Sequence, residues 1–467
     1  MDRDGARVTP PPDRVAIGGG EPPPGAPRVA IATLGCKVNA YDSAAIADRL
    51  RREGCTVVGA DDDADVVIVN SCTVTDAADA ESRRLARRAR RTRPAARVIL
   101  TGCFAQTKPD EAARVAGVDH VIGVNRLEAL VAAVTAAAPV PRVVVGNSRR
   151  ERSVDVFGAR TFAGQTRAFL KVQEGCDLFC TFCIIPMARG RSRSLPPRAV
   201  VEEAKALAAA GFEEIVLTGV HLGGWGHDLE PALDLADLVE ALVARGRVPR
   251  LRLSSIDPHE VSERLVRLMA AVPAICPHLH VPLQAADDGV LARMRRRYDT
   301  VLAAERLAMI RTLVPDACIG TDLIAGFPGE DEAAWERGLA FLERSPVSYA
   351  HVFPYSVRTG TTAAKLDRRV APPVLAARAR RLRAFSDARR AAYARGFDGT
   401  AAEVLVETTR DPQTGELRGY TRNYLRARLD GPDAWAGRRV AVRLAVTAGG
   451  RVRAAAEARA LTPETRA

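Results

Sequence analysis

A chain of 467 residues, 47% hydrophobic and 27% charged, has room for two to four domains with buried cores and is too apolar to be disordered throughout. Its formal charge of +12 and pI of about 9.6 favour a polyanionic partner such as nucleic acid, although only five of the 68 basic residues are lysine and a compositional bias toward arginine competes as an explanation. With no apolar signal segment and no run near the ~18 apolar residues of a membrane span, the chain reads as cytoplasmic with no membrane partner, where thiols stay reduced and clustered cysteines bind metal or do chemistry.

Residues 1–27 hold seven prolines and five glycines and read as a disordered tail. From residue 28 to 145, apolar strand-like runs alternate with helical patterns, which predicts an N-terminal parallel α/β domain. Three of those runs, "RVAIATLGC", "ADVVIVNSC" and "ARVILTGC", each end in a cysteine: Cys36, Cys72 and Cys103. Ligands of open parallel sheets bind beyond the carboxyl ends of the strands, so cysteines 36 and 31 residues apart are expected to converge on one edge as a ligand set. Cysteine used as a small core hydrophobe is the alternative, but a core residue belongs inside a strand rather than at the same end of three.

From residue 160 to 396 there are six strand-like runs: "AFLKVQ", "EEIVLTGV", "LRLSS", "HLHVPLQ", "CIGTDLIAGFPG" and "YAHVFPYS". Helical stretches separate them, so six βα units are expected to form a partial or closed β/α barrel with its chemistry on the loops after the strands. A long helix opened by two prolines near Pro372 closes this domain. Residues 397–461 read as short strands split by "DPQTGE", "DGPDAWAG" and "AGG", a small β-barrel.

The densest signal is "GCDLFCTFCIIPMARGRSRS", from Gly175 to Ser194, which comes after the first barrel strand and spaces Cys176, Cys180 and Cys183 as C-x3-C-x2-C. Thiolates at this density select zinc, copper(I) or iron–sulfur clusters. Three cysteines on a four-iron cluster leave one iron open to a further ligand; zinc completed by His221 or His227 is the alternative. Cys55, Cys276 and Cys318 lack partners at ligand spacing and read as structural. Asp287 and Asp288 read as a helix start rather than an acid–base pair.

This loop resembles the radical S-adenosylmethionine superfamily, and its extended form is similar to the methylthiotransferases within it. "LGCKVN", "NSCTVT" and "TGCFAQ" match that family's three auxiliary-cluster cysteines. "LTGVHLGGWG", "LRLSSIDP", "HLHVPLQ", "GTDLIAGFPGE" and "HVFPYS" match its barrel strands, and "GYTRNYLRARL" resembles its C-terminal RNA-binding TRAM module. The likeness runs from about residue 28 to 460. It implies a radical 4Fe-4S cluster on Cys176, Cys180 and Cys183, whose open iron binds S-adenosylmethionine and cleaves it to methionine and a 5′-deoxyadenosyl radical. It also implies an auxiliary 4Fe-4S cluster on Cys36, Cys72 and Cys103 that carries the sulfur. A first S-adenosylmethionine methylates that sulfur, a second makes the radical, and the methylthio group passes to carbon. An electron donor of flavodoxin or ferredoxin type and a sulfur source are implied as partners.

Within the family, "LGCKVN" resembles the branch acting on N6-threonylcarbamoyladenosine at position 37 of tRNA more than the isopentenyladenosine branch or the branch modifying a ribosomal protein aspartate. A zinc-stabilised RNA-binding protein is the non-enzymatic alternative. The chain departs from the family at Ala285 and Ala286, where a Ser-Gly pair is usual, and at Thr359, where Pro-Gly-Thr is usual; both fall on barrel-edge loops. Further candidates carry an alternative each. Phe182 stacks near the cofactor's adenine or packs on the barrel; Gly219 and Gly223 offer amides to the methionine end or simply turn the chain; Ser254 and Ser255 bond the cofactor or cap the next segment. Arg189, Arg191 and Arg193 are expected at the barrel mouth, and Arg422, Tyr424 and Arg426, with Tyr420 and Arg428, as RNA contacts through phosphate clamping and base stacking. Seven arginines between Arg83 and Arg93 are either RNA contacts or a solvated face.

Overall fold

The computed structural model describes residues 25–136, 138–152, 154, 158–162, 164–454 and the backbone of 459–460. Nearly all of the expected N-terminal tail, residues 1–24, lies outside the described residues, as do residues 455–458 and 461 of the expected C-terminal barrel. The chain forms two compact units: residues up to Gln165 with Gln173–Asp177 and Cys183–Arg193, and Thr166–Val172 with Leu178–Phe182 and everything from Ser194 onward.

The first unit is a six-stranded sheet in the order β2-β1-β3-β4-β5-β6, parallel throughout. Its strands are β1 (Arg28–Thr33), β2 (Thr56–Val58), β3 (Val66–Ser71), β4 (Arg97–Gly102), β5 (His120–Ile122) and β6 (Val143–Val144). Its helices are α1 (Lys37–Arg52), α2 (Asp76–Thr92), α3 (Cys103–Thr107), α4 (Pro109–Ala113), α5 (Leu127–Thr135) and α6 (Ile185–Arg189). Both faces are covered, which is why β3 reads "VVIVNS" without polar alternation. Val67, Val69 and Leu100 pack with Ala86, Ala89 and Phe104 on one face. Val66, Ile68 and Ile99 pack with Ile46, Leu50 and Leu130 on the other.

The six expected barrel strands appear in their expected places: β7 (Ala168–Glu174), which belongs to the second unit up to Val172, and β9 (Ile215–Gly219), β10 (Leu251–Leu253), β11 (His278–His280), β12 (Cys318–Ala325) and β13 (Tyr349–Pro354), with the short β8 (Arg193–Ser194) beside β7. They form a sheet in the order β10-β9-β7-β8 and a second, parallel one in the order β11-β12-β13. Parallel bridges at Leu251–Ile275 and Ser255–His280 join the two, so the strands succeed one another in chain order as a partial β/α barrel. Helices α7 (Pro197–Ala209), α8 (Leu235–Arg245), α9 (Glu263–Ala271), α10 (Asp288–Arg293), α11 (Thr300–Leu313), α12 (Glu332–Arg344) and α13 (Pro372–Arg395) complete the units. Asp287 is the N-cap of α10, accepting from the Val290 amide, so the aspartate pair is a helix start.

A closed five-stranded antiparallel-rich barrel comes next: β14 (Ala401–Val406), β15 (Leu417–Thr421), β16 (Arg426–Leu429), β17 (Arg439–Val446) and β18 (Val452–Ala454), with β14 pairing back onto β17 and β19 (Arg459–Ala460) pairing antiparallel with the start of β17. Alternate residues Val404, Val406, Leu417, Leu429, Val440, Val442 and Leu444 fill its interior.

This barrel belongs to the same unit as the βα strands, and one buried carboxylate organises the joint. Glu214, at the start of β9, accepts from Arg250 at 2.9 Å and from Arg252 at 2.6 and 3.0 Å. Those arginines also donate to the carbonyls of Tyr420 (3.2 Å), Thr421 (3.2 Å) and Arg422 (2.9 Å). Despite full burial, Arg252 and Arg250 hold the Glu214 carboxyl down at about 2.

Candidate metal centres and nucleic-acid interface

Cys36, Cys72 and Cys103 come after β1, β3 and β4, three neighbouring parallel strands, so the sheet delivers all three to its carboxyl edge. Cys36 is the N-cap of α1 and exposed, while Cys72 and Cys103 are buried. The turns are stapled by amides: Asn39 donates to the Leu34 carbonyl (2.7 Å) and the Ser71 carbonyl (3.0 Å), and Asn70 donates to the Asn39 carbonyl (3.0 Å). Two glycines are required here. Gly35 has φ of +99°, and a β-carbon on it would lie 2.9 Å from Cys72 Sγ; Gly102 has φ of +89°, and a β-carbon would lie 2.5 Å from the Ser71 carbonyl.

Burial pushes the Cys103 thiol up to about 12, with the Arg189 charge opposing, and raises the Cys72 thiol as well. The neighbouring sulfurs add to this, Cys36 raising the Cys72 thiol and Cys72 with Cys36 raising that of Cys103. Three soft donors on one edge, two of them buried and costly to ionise alone, fit thiolates whose charge a bound iron–sulfur cluster offsets.

The guanidinium of Arg189, on α6, reaches this edge. It is buried and donates from Nε to Cys103 Sγ (3.3 Å), from Nη1 to Asp42 (2.7 Å) and Glu174 (3.2 Å), and from Nη2 to Asn39 Oδ1 (2.5 Å). Burial works against its charge, but Cys103, Glu174 and Asp42 more than restore it. This corrects the expectation of Arg189 and Arg193 as mouth-facing RNA contacts: Arg193 is also buried and donates to the Arg189 carbonyl at 2.9 Å. Arg191 does stay exposed, 3.5 Å from Asp177.

The C-x3-C-x2-C loop turns at Gly175, with φ of +73°, where a β-carbon would overlap the Arg191 carbonyl. The Cys176 amide donates to the Gly190 carbonyl at 3.0 Å. Cys180 is buried in the second unit and accepts from Arg296 Nη1 at 3.0 Å; burial raises this thiol too. Arg296 is itself held by Asp257 at 2.6 Å and by the hydroxyl of Tyr298 at 3.1 Å. Thr181 is tied to the Met294 and Arg293 carbonyls at 3.0 and 2.9 Å. Phe182 meets the edge of Phe327 at 6.3 Å, so it has an aromatic neighbour on the barrel.

Beyond β9 and β10 lies a polar group of which sequence reasoning named only His221, as a zinc ligand. His221 sits 2.6 Å from Glu260, and their ligand atoms and that of Asp257 lie within 4.8 Å of one another; His259 stacks on Tyr298. Gly223 lies against Glu260, where a β-carbon would not fit. Gly219 ends β9, and Ser254 is buried, its amide donating to the Leu217 carbonyl at 3.1 Å. A second group spans β11, β12 and β13: His280 and His351 lie 3.0 and 3.4 Å from Asp322, which, against the cost of burial, they hold well below the usual carboxylate range. The signal available was position alone, since "GVH", "IDPHE", "HLH" and "GTD" lie on or just after barrel strands. Of the departures from the family pattern, Ala285 and Ala286 are buried and Thr359 is exposed.

In the C-terminal barrel, Arg422 donates to the carbonyls of Pro273 and Ile275, the latter at 3.1 Å. Tyr424 packs 4.3 Å from the His278 ring and 4.8 Å from Tyr420, with the Arg252 guanidinium 5.0 Å above it. Arg428 is taken by Glu416 at 3.1 Å, whereas Arg426 is exposed. On α2, carboxylates pair with Arg83 (Glu111), Arg84 (Glu81), Arg88 (Asp61) and Arg90 (Asp119), the solvated-face alternative for that helix. Among the described residues no helix is long and apolar enough to cross a membrane.

Residues 28–123 match the Uncharacterized protein family UPF0004, and residues 170–342 match the Radical SAM superfamily. The chain is 37% identical over 421 residues to the threonylcarbamoyladenosine tRNA methylthiotransferase MtaB of Bacillus subtilis, covering 89% of this chain and 93% of that protein. It is 36% identical over 412 residues to the ribosomal protein uS12 methylthiotransferase RimO of Chloroflexus aurantiacus, covering 84% and 90%. Among solved structures, the radical S-adenosylmethionine methyltransferase TsrM of Kitasatospora setae, with cobalamin and an iron–sulfur cluster bound, superposes with a TM-score of 0.52 at 18% identity, over 70% of this chain and 75% of that one, a likeness of fold.

Proposed function

Because the chain belongs to the threonylcarbamoyladenosine tRNA methylthiotransferase family, we propose that it adds a methylthio group to C2 of N6-threonylcarbamoyladenosine at position 37 of tRNA by radical S-adenosylmethionine chemistry. It is an enzyme that uses S-adenosylmethionine and two 4Fe-4S clusters. The observation that carries this reading is a set of three cysteines at the ends of three neighbouring strands, separate from a C-x3-C-x2-C loop after the first barrel strand. Four of the first relatives share the threonylcarbamoyladenosine substrate in their names, against one ribosomal-protein enzyme and two dimethylallyladenosine tRNA enzymes at 33–36% identity.

Cys176, Cys180 and Cys183 would hold the radical cluster, and Cys36, Cys72 and Cys103 the auxiliary one. Bound together with S-adenosylmethionine, these groups supply the one-electron cleavage and the sulfur. The chain's own part is to bind, orient and shield. Gly175 and Gly190 fix the start and end of the loop backbone, and Thr181 pins its middle. Arg296 donates to Cys180, and Phe182, Gly219 and Ser254 remain our candidates for contact with S-adenosylmethionine. RNA contact in the C-terminal barrel is assigned to Arg426, with Arg422 and Tyr424 as the supports that hold its strand against the βα strands. An electron donor of flavodoxin or ferredoxin type and an external sulfur source complete the reaction.

The test offers the anaerobically reconstituted protein three substrates: tRNA carrying threonylcarbamoyladenosine, tRNA carrying isopentenyladenosine, and ribosomal protein. Mass spectrometry of nucleosides and peptides is expected to find methylthiolation of the first. Preference for either of the others overturns the substrate, and no methylthiolation at all overturns the reaction.

A further inference from the structure

We infer that Arg189 is the positioning residue that fixes the sulfur-carrying cysteines in register with the radical loop and donates a hydrogen bond to the auxiliary cluster's Cys103 ligand; this rests on the cluster assignment above.

Three segments meet on this one guanidinium, which a fourth carries. Its Nε points at Cys103 Sγ directly. Its Nη2 holds Asn39, whose own amide binds the Leu34 and Ser71 carbonyls, the residues just ahead of the Gly35–Cys36 turn and of Cys72. Its Nη1 holds Glu174, which ends β7 two residues before Cys176, and Asp42 on α1. Arg189 itself stands six residues after Cys183 on the helix that the loop runs into. One side chain, 2% exposed, therefore touches or indirectly holds the turns of all three auxiliary cysteines and both flanks of the C-x3-C-x2-C loop, all within the first unit.

Neutralising two carboxylates does not explain the direction of Nε. A neutral thiol is a poor acceptor, whereas a thiolate bound to iron accepts strongly, and donors to cluster sulfurs raise the cluster's reduction potential. An arginine buried with its carboxylates and turned onto a ligand sulfur is what such a donor requires. Cys180 in the second unit has the same arrangement independently, with Arg296 donating to Sγ at 3.0 Å while Asp257 holds its other nitrogen. The consequence for transfer is geometric. Transfer needs the sulfur held in one place, and within the first unit the strut ties the auxiliary turns to the segments that carry Cys176 and Cys183.

The experiment uses the full chain, reconstituted anaerobically, as R189Q and R189K. Iron content and the ratio of 5′-deoxyadenosine to methylthiolated nucleoside are measured in each. The auxiliary reduction potential is read by electron paramagnetic resonance in the same variants with Cys176, Cys180 and Cys183 changed to Ala. R189Q is expected to keep its iron, to shift the reduction equilibrium about tenfold toward the oxidised form, about 59 mV for one electron, and to raise the deoxyadenosine-to-product ratio about tenfold. R189K keeps the charge but cannot span four acceptors, so it recovers the potential and not the coupling. Should R189Q fail to fold, R189K decides by its coupling alone. Native potential and coupling in R189Q, or native coupling in R189K, overturns the proposal. A native chain that lacks the auxiliary cluster or makes no product instead overturns the function on which it rests.

Discussion

Changing Glu214 to Gln removes the charge at the joint between the βα strands and the C-terminal barrel while keeping the side chain's shape. Arg250 and Arg252, exposed by 1 and 2%, are then left buried without their carboxylate. The cost can be worked from two directions. Holding the carboxyl at about 2 instead of its ordinary 4.5 is worth about 3 kcal/mol at neutral pH, at about 1.36 kcal/mol per factor of ten. Removing one partner of a buried ion pair costs about 3–5 kcal/mol by general experience, so the two agree. All three tryptophans, Trp225, Trp335 and Trp435, lie in the second unit, and their fluorescence reports the unfolding of that unit in urea. With a slope of about 2–3 kcal/mol per molar urea, a loss of about 3 kcal/mol lowers the midpoint by roughly 1 M. Glu263→Gln, which breaks the exposed pair with Arg267, is the control and is expected to cost under about 1 kcal/mol. A Glu214→Gln midpoint within about 0.3 M of native would show that the arginines find other partners and that this carboxylate does not organise the joint.

The same carboxylate predicts a pH dependence. Its folded value lies below its unfolded one, so its contribution is full above about 4.5 and disappears as pH falls toward about 2; the midpoint gap between native and Glu214→Gln is expected to close across that window. Cys183→Ala is expected to abolish cleavage of S-adenosylmethionine, whereas Cys72→Ala keeps cleavage to 5′-deoxyadenosine and loses methylthio transfer; product from the Cys72 variant removes the auxiliary assignment. Native protein is expected to hold about eight irons, and the Cys176, Cys180, Cys183 triple alanine variant about half, by iron analysis. Arg426→Ala is expected to weaken tRNA binding similarly across tRNA sequences and to lower the salt slope by about 1, measured by filter binding at several salt concentrations; an unchanged slope removes Arg426 as a phosphate contact.

The sequence by itself determined the placement of the cysteines, because that placement is local. An apolar run ending in Cys fixes the residue to a strand's carboxyl end, and parallel pairing of β1, β3 and β4 then brings Cys36, Cys72 and Cys103 to one edge without further information. The six barrel strands were legible for the same reason, each being an apolar run of its own with a helical pattern after it. What only the tertiary structure decided is where each arginine and histidine points. Arg189 looked like a surface cation, yet it lies against Cys103, 86 residues away, and Asn39, 150 residues away. Arg422 and Tyr424 looked like an RNA-reading pair, yet their partners are the Ile275 carbonyl and the His278 ring. His280, Asp322 and His351 meet because β11, β12 and β13 are neighbours in register. A charged side chain is satisfied by whatever carboxylate, carbonyl or sulfur the fold brings within about 3 Å, and nothing in the residues flanking an arginine states which distant group that is.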